Sequence, residues 1–197
     1  MTAAAFPQVA GRLAIDLLNT RVAADGRPRE LLAHPRDLAA WARAMGLPYA
    51  GALARQLARI PAGEPAALVQ FRELVRDGLA RWWEGRPPRP VFLDRLNRAL
   101  ARDPSHPRLT LRGRALAAES VGTGTALDRL YAEVAGSAAA MLREDDPRRY
   151  RRCANPACVL MFYDESKPGT RRWCSMQTCG GQAKARAFKR RSRRERG

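Results

Sequence analysis

Histidine is nearly absent from this chain of 197 residues. The two present, His34 and His106, each stand directly before a proline, with no serine, cysteine or acid pattern beside them that would make either catalytic; both read as surface loop residues. A glycine-rich phosphate loop, a zinc-protease His-Glu-x-x-His helix and a Gly-x-Ser-x-Gly elbow are missing as well, so no catalytic residue is assigned and an enzyme is not expected. No run of eighteen apolar residues occurs, which excludes a membrane-spanning helix. The opening Met1-Thr-Ala-Ala-Ala-Phe-Pro-Gln lacks the basic start and apolar core of a secretory signal, and a cytoplasmic location is expected. There is no internal repeat and no low-complexity linker. Cysteine is also scarce, with four in all, and none lies before residue 153.

Those four carry the strongest signal. They read Cys153-Ala-Asn-Pro-Ala-Cys158, fifteen residues, then Cys174-Ser-Met-Gln-Thr-Cys179. Two pairs of identical spacing, with no cysteine left over, can fold four thiolates back onto one ion. Zinc accepts four such ligands tetrahedrally. Two disulfides are the alternative, but they belong to oxidising compartments. One structural zinc held by Cys153, Cys158, Cys174 and Cys179 is therefore expected.

Acidic residues are few where these cysteines lie. Residues 148–197 hold 15 Lys and Arg against 3 Asp and Glu, a net of +12, whereas residues 1–147 hold 21 against 16. An arginine-rich composition alone would raise the charge everywhere, and 33 of the 36 basic residues are arginine. It does not account for the asymmetry. A basic field concentrated on one module points to a polyanionic partner.

Apolar periodicity organises the rest. Arg12 to Thr20 suggests a short helix, with Asp16, Asn19 and Thr20 as small polar groups near its end. Capping is their ordinary role; the alternative is a polar pocket for an effector, walled by Trp41, Trp82 and Trp83. Residues 24–28 read as a loop. Helices are expected over Pro35–Met45, Ala50–Arg59, Pro65–Trp83, Phe92–Arg102 and Thr125–Leu142, with Gly46 and the prolines as punctuation. Leu109–Leu111 and Leu116–Val121 suggest a β-hairpin around Arg112-Gly113-Arg114. Glu144 to Pro147 closes this mainly helical domain, residues 1–147. A zinc-binding module occupies residues 148–197.

Within the module, Val159–Tyr163 and Arg171–Trp173 suggest a hairpin after a knuckle at Cys153–Cys158. Ser175 suits the cap of a helix bearing Cys179. Knuckle, hairpin and ligating helix describe a treble-clef-like unit too small to fold without its metal. From Lys189 onward basic residues occupy every side of the last helix and no apolar seam remains. Arg171, Arg172, Lys184, Arg186, Lys189, Arg190, Arg191, Arg193 and Arg194 form the candidate nucleic-acid face. Duplex DNA is the expected polymer and RNA the alternative, since phosphate contacts do not distinguish them.

The Cys-x4-Cys pairs, the apolar-aromatic strand, Asp164, Ser166, Arg171-Arg172-Trp173-Cys174 and Cys179-Gly180 with its Ala-Lys helix resemble the CGNR zinc-finger family. Leu13-Ala-Ile-Asp16-Leu-Leu-Asn19-Thr20 resembles the start of that family's ABATE-like N-terminal domain, Leu-x-Leu-Asp-Phe-x-Asn-Thr. The likeness is strong over 150–190 and loose over 21–147. It implies a bacterial transcription regulator whose zinc module binds DNA and whose helical domain senses an unidentified small molecule or stress signal. It leaves open a zinc-stabilised RNA- or ribosome-binding protein, or a ligand-binding or enzymatic N-terminal domain beside a purely structural zinc. The sequence departs from the family where Cys-Gly-Asn-Arg becomes Cys179-Gly180-Gly181-Gln182, which spares the metal ligands but removes an asparagine and an arginine. Oligomeric state is not legible.

Overall fold

The computed structural model describes residues 6–24, 27–59 and 64–194. Its centre is a helix of only six residues, α1 (Leu13–Leu18), in which Ala14, Ile15, Leu17 and Leu18 are all buried. A helix apolar on every side must be surrounded. Around it stand α2 (Pro35–Ala44), α3 (Ala50–Leu57), α4 (Glu64–Trp83), α5 (Pro90–Leu100) and α6 (Ala126–Glu144). Their starts follow local chemistry. Proline opens α2 and α5, where its missing N–H costs nothing. Thr125 and Asp128 form a reciprocal capping box at the head of α6.

The apolar stripes face inward as periodicity predicts. Leu68, Phe71, Val75 and Leu79 of α4 are buried, as are Leu127, Leu130, Val134 and Met141 of α6. In α5 the buried line is Phe92, Leu96 and Ala99, and Leu93 is exposed. The reason is Gly78: a methyl group there would sit 2.3 Å from the Phe92 ring, so α4 and α5 close directly on that ring and rotate Leu93 outward.

Two hairpins leave this body. Of residues 24–28, expected as a loop, Ala24, Arg27 and Pro28 are strand residues: β1 (Arg21–Ala24) pairs with β2 (Arg27–Glu30), with Ala24 opposite Arg27. The second is the expected hairpin, lengthened: β3 (Ser105–Arg112) pairs with β4 (Ala115–Gly122). It takes in His106 and Pro107, which are strand residues rather than loop residues, though both are exposed.

In the C-terminal module, β5 (Tyr150–Arg152) pairs with β6 (Met161–Tyr163), Tyr150 opposite Tyr163. The expected pairing of 159–163 with 171–173 is not made. The strand entering the first cysteine turn takes that place, and Arg172 instead accepts a single bond from Ala154 N–H at 2.8 Å. A π-turn, Met176–Gly180, carries Cys179 into α7 (Gly181–Arg194). Ser175 precedes it as expected but caps it with no side-chain bond. The molecule is thus mainly helical with small antiparallel hairpins, and ends in a unit of knuckle, hairpin and helix.

Candidate metal centre and its basic helix

Cys153 and Cys158 bracket the knuckle, Cys174 ends the loop after β6, and Cys179 sits on the π-turn. Their four sulfurs all lie within 4.8 Å of one another. Cys158 Sγ is 3.8 Å and Cys179 Sγ 3.7 Å from Cys174 Sγ. A tetrahedron of about 2.3 Å zinc–sulfur bonds has edges of about 3.8 Å, so the cage fits zinc; a disulfide needs about 2.05 Å, and all four cysteines are unpaired. As bare thiols, Cys158 and Cys174 resist ionising. Burial, reinforced by neighbouring cysteines, pushes Cys158 up to about 11 and Cys174 higher still. A bound dication removes that conflict, because thiolate is the ligating form. This is a site for one structural Zn2+.

Asn155, between the first two ligands, organises the cage from behind. It is 4% exposed. Its Nδ2 donates to Cys179 Sγ at 3.3 Å and to Gln182 Oε1 at 3.3 Å, and its Oδ1 accepts from Arg186 at 2.9 Å. Burial would raise the Cys179 thiol, but the bond from Asn155 and those from the other cysteines hold it below its ordinary value. Charge-assisted donation to a ligating group both orients it and tunes it. The departure from Cys-Gly-Asn-Arg is thereby explained in part: Gln182, from the first turn of α7, reaches back to the knuckle. The only sequence cue was an asparagine between two ligands.

The candidate nucleic-acid residues divide. Arg171 turns inward: its guanidinium lies 4.2 Å over the Phe162 ring and donates to the carbonyls of Val9, Trp173 and Cys174. It braces the module's own backbone. A guanidinium, with several N–H donors on one planar fork, can serve all three carbonyls at once. Arg172 is exposed and rests 5.3 Å from the Trp173 ring. Lys184, Arg186 and Lys189 are exposed on α7. The backbone of Arg190, Arg191, Arg193 and Arg194 continues α7, while their side chains lie outside the described residues. Phe188 is 67% exposed.

The polar triplet of α1 bonds within the fold. Asp16 accepts from Ala10 N–H at 3.3 Å. Asn19 accepts from Met161 N–H at 2.9 Å and donates to Met161 C=O at 2.8 Å, completing β6 like a missing strand partner. Thr20 donates to Leu17 C=O and accepts from the buried Arg72, which also pairs with Glu30 at 2.6 Å. All three are buried, and none of the surface depressions described is lined by them. Burial without a partner is costly, and here each group is spent on the fold, so no effector is placed beside them. Trp41 lies in the helical core. Trp82 and Trp83 pack on Tyr150, centroids 5.4 and 5.5 Å away.

These bonds form a seam between the helical part and the module. Arg12 pairs with Asp145 at 2.8 Å and Glu165 at 2.9 Å, Tyr163 N–H reaches Ala10 C=O at 3.1 Å, and Met161 is buried within the helical core itself.

Residues 11–145 match the family ABATE, described as "Putative stress-induced transcription regulator", and residues 149–192 match the CGNR zinc finger. No curated protein matches the chain. Among the described residues no helix is long and apolar enough to cross a membrane.

Proposed function

This chain belongs to the ABATE family and carries a CGNR zinc finger, and from that premise we propose that it is a cytoplasmic transcription regulator, with no catalysis of its own, whose zinc module binds duplex DNA while its helical part receives a small effector or stress signal. The observation that carries the DNA reading is α7. It grows out of the metal-bearing π-turn, is tied to the knuckle through Asn155, and holds seven Lys and Arg in fourteen residues with no acid. Such a helix repels itself in water, and a row of phosphates neutralises it. The tie from Asn155 fixes its first turns against the knuckle, so Lys184, Arg186 and Lys189, exposed on an ordered helix, are cations held in place rather than a loose tail.

The test is fluorescence anisotropy of the zinc-loaded chain on a duplex and on a structured RNA of equal length, across a salt series. With about five phosphates contacted, log affinity falls against log salt with a slope of about −4 to −5. Truncation after Phe188 flattens the slope and weakens all sequences alike. Arg172→Ala lowers affinity with zinc content and thermal stability unchanged, whereas Arg171→Ala lowers stability first. Preference for the RNA would move the reading to that polymer, and unchanged affinity after truncation would remove α7 from the interface.

A further inference from the structure

A recess of about 310 Å³ opens where the β1–β2 hairpin and α4 meet the zinc module. Arg21, Arg27 and Arg76 enter it from the helical part and Arg152 from β5; Val22, Val159 and Met161 supply apolar wall. No carboxylate lines it among the described residues. Arg76 is held by Glu73 and by Leu18 C=O, but Arg21, Arg27 and Arg152 are exposed and make no ion pair among the described residues. Other arginines of the helical part do find a carboxylate, as Arg12, Arg72, Arg102 and Arg129 do at 3.0 Å or less. A larger depression between α4 and α5, about 510 Å³, contains Asp77 among its arginines and touches only the helical part.

Four guanidiniums brought toward one volume repel each other unless an anion joins them. Guanidinium forks match carboxylate and phosphate oxygens in pairs, and the recess is of the size that small-ligand sites have, with apolar wall beside the charges. We propose that this recess binds a small organic anion with an apolar body, a phosphate or carboxylate, held between Arg21 and Arg27 on one side and Arg152 on the other. Met161 forms one wall, and its backbone is the partner of Asn19, so the ligand sits against the bonds that fasten module to helical part. An anion that bridges the two strengthens that attachment, and by linkage anything that alters the attachment alters the anion's affinity. This inference supplies the effector site of the function proposed above and rests on that function for its regulatory meaning only; the binding itself stands apart from DNA.

Phenyl phosphate and inorganic phosphate are the probes, measured by isothermal titration on the zinc-loaded full chain at constant ionic strength. One saturable site is expected, with phenyl phosphate at least about fivefold tighter because its ring meets Val22 and Val159. The exposed pair Arg27→Ser and Arg152→Ser, made together, lowers that affinity at least about tenfold while zinc content stays at one per chain. Absence of a saturable site, or equal affinity in the double variant, overturns the proposal. So does loss of duplex binding in the double variant when the native chain takes up no phenyl phosphate, for the recess then belongs to the DNA path. Phenyl phosphate binding in a chain that binds no nucleic acid sustains the recess and refutes the DNA reading instead.

Discussion

The helical part closes over Trp41, Ile15, Leu38, Leu53, Leu68 and some two dozen further buried apolar residues, whereas the module closes over Phe162 and three of its four cysteines. At about 25 cal/mol per Å² of apolar surface buried, the first has a sufficient driving force and the second does not. The module makes up the difference in two ways. One is the metal. The other is the seam, through which it borrows the helical core: Met161 is counted among that core's buried residues, and Tyr150 lies against Trp82 and Trp83. Two regions that the charge distribution separates cleanly are thus unequal partners in folding. The helical part supplies a surface, and the module's order depends on it.

Zinc removal is the harshest way to break this comparison. Structural zinc sites contribute about 10–16 kcal/mol in isolated finger peptides, far beyond what Phe162 and the seam supply. A strong chelator, or Cys174→Ser, is expected to melt residues 150–180, read as collapse of amide-exchange protection there. Helical circular dichroism persists, but the midpoint of thermal unfolding falls, because Trp82, Trp83 and the walls around Met161 lose their cover. Tryptophan fluorescence shifting to the red at the same chelator concentration reports that exposure. An unchanged midpoint would mean that the two cores are independent.

A gentler cut is Asn19→Ala. It leaves the Met161 N–H and C=O buried and unpaired, at roughly 1–3 kcal/mol for each group, so a loss of about 2–4 kcal/mol is expected in denaturant titration. Asn19→Ala should also raise exchange of the Met161 amide before any other amide in the module. If stability drops with no such local effect, Asn19 acts through α1 rather than through the seam.

Much of this was legible beforehand, and the failures have a common cause. Five amphipathic helices follow from apolar spacing, and the metal cage follows from cysteine spacing, because both signals are local. Arg171, Asn155 and Asn19 were not legible in their roles, since each acts on carbonyls or sulfurs brought close only by the fold. Arg171 has the same composition signature as Arg172, yet one braces Phe162 and the other meets solvent. The β5–β6 pairing was hidden because strands of three residues, one of them Tyr-Arg-Arg, show no alternation. Asp25-Gly26 is a hairpin signal that should have marked β1 and β2.

Acidity tests the helical side of the seam. Burial pushes Asp16 up to about 6 from an ordinary value of 3.8, against the opposing bonds from Ala10 and Val9. A carboxyl with a raised folded value binds more protons in the native state than in the unfolded state between those two points. Stability therefore falls as pH rises from about 4 to about 6, and the loss, about 3 kcal/mol, persists above. Asp16→Asn removes the dependence and is the more stable chain at pH 7. Comparing the two chains at each pH cancels the metal's own acid sensitivity. A difference that does not change across pH 4 to 7 would show that Asp16 titrates as it does in the unfolded chain.

The smallest expected effect separates folding from recognition within α7. Phe188 is two-thirds exposed, lies beyond the turns tied to Asn155, and is flanked by lysine and arginine. A large apolar side chain that the fold leaves in water contributes little to stability, and Phe188→Ser is expected to shift unfolding by no more than about 0.5 kcal/mol. Zinc content stays the same, for no ligand or bond to a ligand is touched. In a nucleic-acid complex the same ring is placed among phosphate contacts, where an aromatic side chain packs on sugar or base and adds roughly 1 kcal/mol. The expected loss is then about fivefold in duplex affinity, with the salt slope unaltered because no charge has been removed. A stability loss of several kcal/mol would place Phe188 in the module's core after all. A changed salt slope would show that the substitution had unwound the helix and dispersed its charges, and the two readouts together distinguish a helix held ready by the zinc cage from one that forms only on its partner.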